Sequence, residues 1–164
     1  MKLDVKQRII DRLLETRREN VQSVIDYMEK HGFFRYHCHS HHRYEGGLAD
    51  HAWQTYQIAL VSDTSGLNTD SIAIATILHD LCDCSGMRDI TGHGRRSAGI
   101  LKQLGFKLTQ DEFLAIRFHI GLKNKKSHRL YREALDCRLG KLVHKSDGKS
   151  AGMSVGADIR TKIH

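Results

Sequence analysis

The sequence contains no proline among its 164 residues, although average usage of about 5% would supply about eight. Proline fixes the backbone φ angle and removes an N–H donor, and both effects interrupt helices. No residue imposes such an interruption on this chain. The composition therefore favours uninterrupted helices.

Cysteines are few, and long apolar runs are missing. The four cysteines are too scarce and too irregularly spaced for a disulfide framework in a chain of this length, so we expect reduced thiols. No segment approaches the roughly 18 consecutive apolar residues of a membrane helix, and the first residues lack the pattern of a signal peptide. We expect a cytoplasmic protein that does not enter a membrane.

The remaining composition is that of one globular domain. Hydrophobic residues make up 40% and charged residues 27%, which excludes disordered, collagen-like and coiled-coil classes. The length predicts a single domain over residues 1–164. The 26 basic and 19 acidic residues leave a net charge of +7, which favours anionic partners such as nucleotides, phosphate esters or nucleic acid.

Apolar periodicity predicts an all-α fold. Apolar residues recur at spacings of three and four, the pattern of amphipathic helices. We expect one long helix or two in the first 30 residues, then helices over 48–61, 69–81, 95–104, 109–119 and 128–150, with a loop over 82–94. Thr69 or Asp70 is the predicted cap of one helix, and Thr109 and Glu112 form a capping box for another. The prediction is a single-domain bundle of about six or seven helices, including a helical N-terminal extension over 1–32.

The most informative pair of residues is His79-Asp80, at the end of an almost entirely apolar helical run. An imidazole beside a carboxylate is costly at a buried helix end unless something pairs with both groups. A bound cation would provide that pairing. Consecutive helical residues diverge by about 100°, so the pair can approach one ion from two directions, or Asp80 can bridge to a second ion. The alternative is a core histidine that is hydrogen-bonded to its neighbour.

Two more candidate ligands lie on other predicted helices. His51 lies early in the helix that follows Gly46-Gly47, and Asp147 lies near the end of the last helix. With His79-Asp80 they form a set of two imidazoles and two carboxylates. Such donors suit Fe or Mn best, with Co, Ni, Mg and Zn as alternatives, and differ from the thiolates of a structural zinc site.

The order of these residues resembles the HD-domain superfamily of metal-dependent phosphohydrolases. The resemblance is carried by Gly-Gly-Leu-Ala-Asp-His, which ends at His51, by Ile-Leu-His-Asp-Leu around His79-Asp80, and by Asp147. It covers residues 46–151. It implies a helical bundle, a divalent ion at the four ligands, and hydrolysis of a phosphate ester or anhydride by a metal-bound water.

Two further histidines match the dinuclear version of this family. His93 lies in Thr-Gly-His-Gly before the 95–104 helix, and His119 lies at the end of the 109–119 helix. The resemblance implies that they bind a second ion bridged by Asp80; as catalytic residues, they would instead transfer a proton to the leaving group. The alternatives are an exposed loop residue for His93 and, for His119, a favourable interaction with the helix dipole.

One position departs from the family pattern. Many catalytic members have a lysine three residues after the aspartate, beside the substrate phosphate, whereas this sequence has Leu81-Cys82-Asp83. We therefore expect another cation to bind the phosphate. Arg95 and Arg96 are the first candidates, because they lie at a helix N-terminus whose N–H groups also favour anions. Arg43 and Lys149 follow, and the alternative for each of the four is a solvated surface charge.

The remaining histidines and cysteines allow a second interpretation. In this interpretation, segment 37–42 forms a zinc site together with the segment that contains Cys82 and Cys84. Structural zinc sites prefer Cys-x₂₋₄-Cys pairs, however, and neither of these two segments has one. We instead expect a polar loop at the mouth of the site, with one histidine in contact with substrate. His144, one helical turn before Asp147, is expected to compete as a ligand or to support one.

Together these residues predict a hydrolase that cleaves a phosphate ester or diester of a nucleotide-like substrate. Asp80 would orient or bridge the attacking water, while the metal and Arg95 or Arg96 stabilise charge on the phosphoryl oxygens. The expected partner is a small phosphorylated anion, a nucleotide in preference to nucleic acid. The alternative is a metal-stabilised helical module that binds nucleotides or nucleic acid without turnover. Asp83 favours this alternative, and the complete ligand set opposes it.

Overall fold

The structure is a computed structural model that describes residues 4–85, 92–120 and 129–153. Over these residues all of its regular secondary structure is helical, with eight α-helices, one 3₁₀ helix and no strand. This confirms the predicted all-α class. The helices are α1 (Val5–Glu15), α2 (Val21–Lys30), α3 (Gly47–Leu60), α4 (Thr69–Leu78), the 3₁₀ helix (Leu81–Ser85), α5 (His93–Gln103), α6 (Gln110–Phe118), α7 (Arg129–Asp136) and α8 (Arg138–Ala151). None of the helices described here has the length and apolar character needed to cross a membrane.

Side chains cap the starts of α4 and α6. Asn68 caps α4, because its side-chain oxygen accepts two backbone N–H groups of the first turn at 2.9 and 3.0 Å. The prediction of Thr69 or Asp70 as the cap is wrong, since Thr69 is already helical and Asn68 has the extended backbone of an N-cap residue. The capping box of Thr109 and Glu112 at the start of α6 is confirmed.

The structure decides where helices break. The N-terminal region forms two helices, separated by Arg17 and Asn20 with positive φ angles of 50° and 62°. The single helix predicted over 128–150 is wrong, because Cys137 has an extended backbone and its Sγ accepts the N–H of Gly140 at 3.3 Å, which starts a new helix. A 3₁₀ helix begins the predicted 82–94 loop. Residues 86–91 of that loop and the predicted helix start at His128 lie outside the described residues.

Helix α4 forms the centre of the bundle. All of its residues from Ile72 to Leu78 are buried, and it packs against α1, α3, α6 and α8. A helix without a polar face is stable only when other helices surround it. Because α3, α6 and α8 all contact α4, the polar residues on these three helices can reach its C-terminal end.

Polar contacts tie the N-terminal helices to this centre. Arg12 of α1 donates to the Tyr56 hydroxyl at 2.7 Å and pairs with Asp70 at 2.8 Å, which links α1 to α3 and α4. Arg18, after α1, pairs with Glu112 of α6, whose carboxylate is fully buried. A buried carboxylate is stable only when it is paired and hydrogen-bonded, as here.

Candidate metal centre

Four predicted ligands meet inside the bundle. His51 lies on α3, His79 and Asp80 directly follow α4, and Asp147 lies on α8. The two histidine side chains are fully buried, and the side chains of Asp80 and Asp147 are 8% and 19% exposed. The structure therefore brings together two imidazoles and two carboxylates. The residues that carry them are spread over 96 positions of the sequence, from His51 to Asp147.

The donor atoms of these residues are spaced for one ion. His51 Nε2 lies 3.2 Å from His79 Nε2 and 3.1 Å from Asp147 Oδ1. Asp80 Oδ2 lies 3.6 Å from His51 Nε2 and 3.4 Å from His79 Nε2, and the fifth distance, between His79 Nε2 and Asp147 Oδ1, is 3.7 Å. Nitrogen and oxygen ligands lie about 2.0–2.2 Å from a divalent transition metal, so neighbouring donors around one ion are about 2.8–3.6 Å apart. The observed distances are close to this range.

The second oxygen of Asp80 faces a different pair of histidines. Asp80 Oδ1 lies 2.5 Å from His93 Nε2 and 3.1 Å from His119 Nε2. His93 is the first residue of α5, and His119 directly follows α6. Asp80, His93 and His119 form a second group whose donor atoms all lie within 4.8 Å of one another. Asp80 therefore lies between two donor groups and presents one oxygen to each.

The histidine rings are oriented as metal ligands usually are. The Nδ1 atoms of His79 and His119 donate to the backbone carbonyls of Thr76 and Ile116, both at 2.7 Å. His51 Nδ1 lies 3.0 Å from the Ser150 hydroxyl. A neutral ring that donates through Nδ1 carries its lone pair on Nε2, and this is the arrangement found in metal-ligating histidines. Lone pairs facing each other across the cluster repel unless a proton or a metal cation lies between them.

The carboxylates of the cluster remain ionised. Burial would raise the pKa of Asp80, but the charge of His79 and the hydrogen bonds at its other oxygen hold it well below the usual range. Burial would likewise raise the pKa of Asp147, and hydrogen bonds from His51 and His79 lower it. Two ionised carboxylates at this depth need positive charge beside them, which protons on the histidines or a divalent ion can supply.

The predicted phosphate-binding cations lie at the surface or near it. Arg95 and Arg96 occupy the first turn of α5, directly after His93; Arg95 is exposed and Arg96 is half-buried. Arg43 and Lys149 are exposed. Of these four residues, only Arg95 and Arg96 lie in the first turn of α5, next to the cluster residue His93, whose Nε2 faces Asp80. A phosphate-binding role for each of the four stays a prediction.

The His-rich segment borders the cluster on the side of His51. The ring centroid of His41 lies 4.5 Å from that of His51, and its Nδ1 lies 3.1 Å from the Nδ1 of His42. Burial, followed by the charges of His51 and His42, lowers the pKa of His41 to about 4, so this ring is neutral near pH 7. The structure thus places the half-buried His41 beside the cluster. Contact between this histidine and substrate stays a prediction.

Two residues that sequence reasoning missed hold this segment in place. The buried His42 donates through Nε2 to the Gln54 side-chain oxygen at 2.8 Å, and Gln54 also lies 3.4 Å from the Ser150 hydroxyl that contacts His51. Helical spacing could have identified both, since Gln54 is three residues after His51 and Ser150 is three residues after Asp147.

The glycine pair at the start of α3 permits the same packing. A Cβ at Gly47 would lie 1.9 Å from the carbonyl oxygen of His42, a distance that excludes any side chain. His42 itself adopts a positive φ of 46°, which is uncommon for a residue other than glycine. The Gly-Gly turn therefore allows the His-rich segment to lie directly against α3.

Among the described residues, no group of potential metal ligands joins the His-rich segment to Cys82 or Cys84. Cys38 groups with His41 and His51, and Cys82 groups with Asp83 and His93. Each group thus shares one histidine with the central cluster. His144 Nδ1 contacts the carbonyl of His119 at 2.5 Å, so it supports the chain next to a cluster histidine.

The chain was compared with protein-family models, curated proteins and solved structures, and none of the three comparisons found a match. The cluster is a buried set of histidines and aspartates able to hold a metal ion.

Proposed function

We propose that the protein is a metal-dependent phosphohydrolase of the HD-domain type, which cleaves a phosphate ester or diester of a nucleotide-like substrate. The observation that carries the proposal is the position of Asp80. One of its oxygens faces His51 and His79, and the other faces His93 and His119. A carboxylate shared in this way by two donor groups is typical of hydrolases that use two ions.

The donor set suits divalent ions of the first transition series. Imidazole nitrogens and carboxylate oxygens favour Fe or Mn, with Co, Ni, Mg and Zn as alternatives. When bound, such ions supply Lewis-acid stabilisation of charge on phosphoryl oxygens and activate water for attack. His51, His79, Asp80 and Asp147 would hold the first ion.

The chain itself contributes orientation and charge. Asp80 would contribute one carboxylate oxygen to each donor group. His93 and His119 would complete the second group or donate a proton to the leaving oxygen. Arg95 and Arg96 at the start of α5 would bind the phosphoryl group together with the N–H groups of that helix end. The net charge of +7 attracts a small anionic substrate.

The test is metal analysis followed by an activity screen. We expect purified wild-type protein to contain Fe or Mn, and to hydrolyse phosphomonoester or phosphodiester substrates when supplied with Mn, Fe, Co, Ni or Mg. Asp80→Asn keeps the shape of the side chain and removes its charge, so it should lose both metal and hydrolysis while the helical circular dichroism spectrum persists. Asp63→Asn is the matched control, because the Asp63 side chain is 77% exposed. A fully active Asp80→Asn variant with unchanged metal content would overturn the proposal.

The second candidate is a metal-stabilised module that binds nucleotides or nucleic acid without turnover. The observation that favours it is Asp83, since an acidic side chain occupies the position where catalytic HD-domain proteins have a lysine. Steep salt dependence of nucleic acid binding, with no hydrolysis under any of these metals, would support this candidate in place of the hydrolase.

A further inference from the structure

Asp83 contacts the cluster through His93. Asp83 Oδ1 lies 3.1 Å from His93 Nδ1, and the Asp83 side chain is only 13% exposed. The opposite nitrogen of the same ring, Nε2, lies 2.5 Å from Asp80 Oδ1. The His93 ring is therefore held between two carboxylates, one at each nitrogen.

The 3₁₀ helix explains why these carboxylates face the same way. Residues three apart are eclipsed in a 3₁₀ helix, and the Asp83 N–H donates to the Asp80 carbonyl at 3.0 Å. Asp80 and Asp83 therefore project from one side of this turn. The first helical residue of α5, His93, lies against that side.

His93 differs from the other cluster histidines in the group at its Nδ1. The Nδ1 atoms of His79 and His119 contact backbone carbonyls, and that of His51 contacts a hydroxyl. At His93 the nearest partner of Nδ1 is the Asp83 carboxyl group at 3.1 Å, with Cys82 Sγ at 3.4 Å. A carboxylate at this position orients a ligating histidine, selects its tautomer and makes the opposite nitrogen more basic.

We propose that Asp83 is a positioning residue for a divalent cation bound by Asp80, His93 and His119. It accepts the Nδ1 proton of His93 and so directs the Nε2 lone pair toward Asp80 and His119. This inference rests on the proposed function and adds a residue to it. It also assigns a role to the acidic residue that replaces the family's lysine: Asp83 supports the metal side of the site and leaves phosphate binding to other cations.

A metal titration tests this role without measuring activity. Metal-depleted wild-type protein titrated with Mn²⁺ in a calorimeter should bind two ions, the second more weakly. In Asp83→Ala the dissociation constant of the second ion should rise by about 10- to 100-fold, while that of the first ion stays unchanged. The dissociation constant of the second ion in Asp83→Asn should lie between the wild-type and Asp83→Ala values, because the amide oxygen still accepts a hydrogen bond but carries no charge.

Two further variants separate positioning from a general structural role. Cys82→Ser is the matched control, because Cys82 Sγ lies 3.4 Å from the same His93 Nδ1 but carries no carboxylate; it should change the second affinity much less. In a His93→Ala background, adding Asp83→Ala should cause no further loss, since Asp83 acts only through His93.

Several outcomes would overturn the inference. Wild-type affinity for both ions in Asp83→Ala would show that Asp83 does not support the ligand. An equal loss at both ions, or an equal effect of Cys82→Ser, would show that the 3₁₀ helix matters only as a packing element. Wild-type protein that binds one ion and hydrolyses substrate would remove this role and leave the proposed function standing, whereas protein that binds no metal would refute both.

Discussion

Removal of bound metal should make the stability of the protein fall as the pH rises toward 9. Burial alone would lower the pKa of His79, but Asp80 and Asp147 raise it from the ordinary 6.5 to about 9 in the metal-free cluster. A group whose pKa is higher in the folded state stabilises fully below its unfolded pKa and loses that contribution as the pH rises through the folded value. The two values differ by about 2.5, and each pKa unit corresponds to about 1.4 kcal/mol. The full contribution is therefore about 3–4 kcal/mol, of which about 3 kcal/mol is lost by pH 9.

The metal-loaded protein should not show this fall. Its ligands must be deprotonated to bind the ion, so metal affinity increases with pH. The difference in unfolding free energy between loaded and metal-free protein should therefore grow between pH 6.5 and 9. For a chain of this length, about 3 kcal/mol corresponds to a Tm difference of about 6–12 °C.

Urea denaturation followed by circular dichroism can measure both trends. One series contains EDTA and the other contains saturating Mn²⁺, at several pH values across this range. Asp80→Asn is the matched variant, because it removes the largest charge that raises the His79 pKa and should flatten the EDTA series. A flat EDTA series for the wild-type protein, or a stabilisation by Mn²⁺ that shrinks as the pH rises, would contradict this prediction.

Three further predictions address the rest of the site. Arg95→Ala or Arg96→Ala should lower kcat/KM by the equivalent of about 1–3 kcal/mol, the scale of a charge-assisted hydrogen bond, with metal content unchanged; wild-type kinetics in both would assign phosphate binding to other cations. His119→Ala should reduce the metal content measured by elemental analysis from two ions per chain toward one, and an unchanged content would leave this residue as a proton donor or substrate contact. Gly47→Ala should destabilise the protein by about 1–3 kcal/mol in urea denaturation, because its Cβ would lie 1.9 Å from a carbonyl oxygen. The control Gly99→Ala, with nothing within 4 Å of its Cβ, should instead be neutral or stabilising by up to about 1 kcal/mol.

Local signals predicted much of the helical fold. The composition of the apolar run in α4 is sufficient to predict a buried helix, and all residues from Ile72 to Leu78 are buried in the structure. The capping box of Thr109 and Glu112 joins residues within a single turn, so the pattern contains both partners. The candidate ligands were predictable for a similar reason, since imidazoles and carboxylates beside apolar helical runs are costly without a partner.

The helix breaks were harder to predict because they depend on competing contacts. The segment around Cys137 has helical apolar spacing on both sides, and neither proline nor an N-cap of the usual type marks the break. The thiol of Cys137 accepts the Gly140 N–H, a cap that composition alone does not favour. Asn68 was missed as a cap because Thr69 and Asp70 carry equally good side chains.

The residue types available for a metal site, and the helices near which they lie, could be predicted from local sequence patterns. Their relative orientation is a property of the folded bundle: Asp80 presents one oxygen to each pair of histidines, and Asp83 lies behind His93. These contacts depend on the packing of α3, α6 and α8 against α4, and of α5 against α6 and the 3₁₀ helix. The direction of a side chain toward a residue on another helix is set by that long-range packing, which spacing along one helix does not encode.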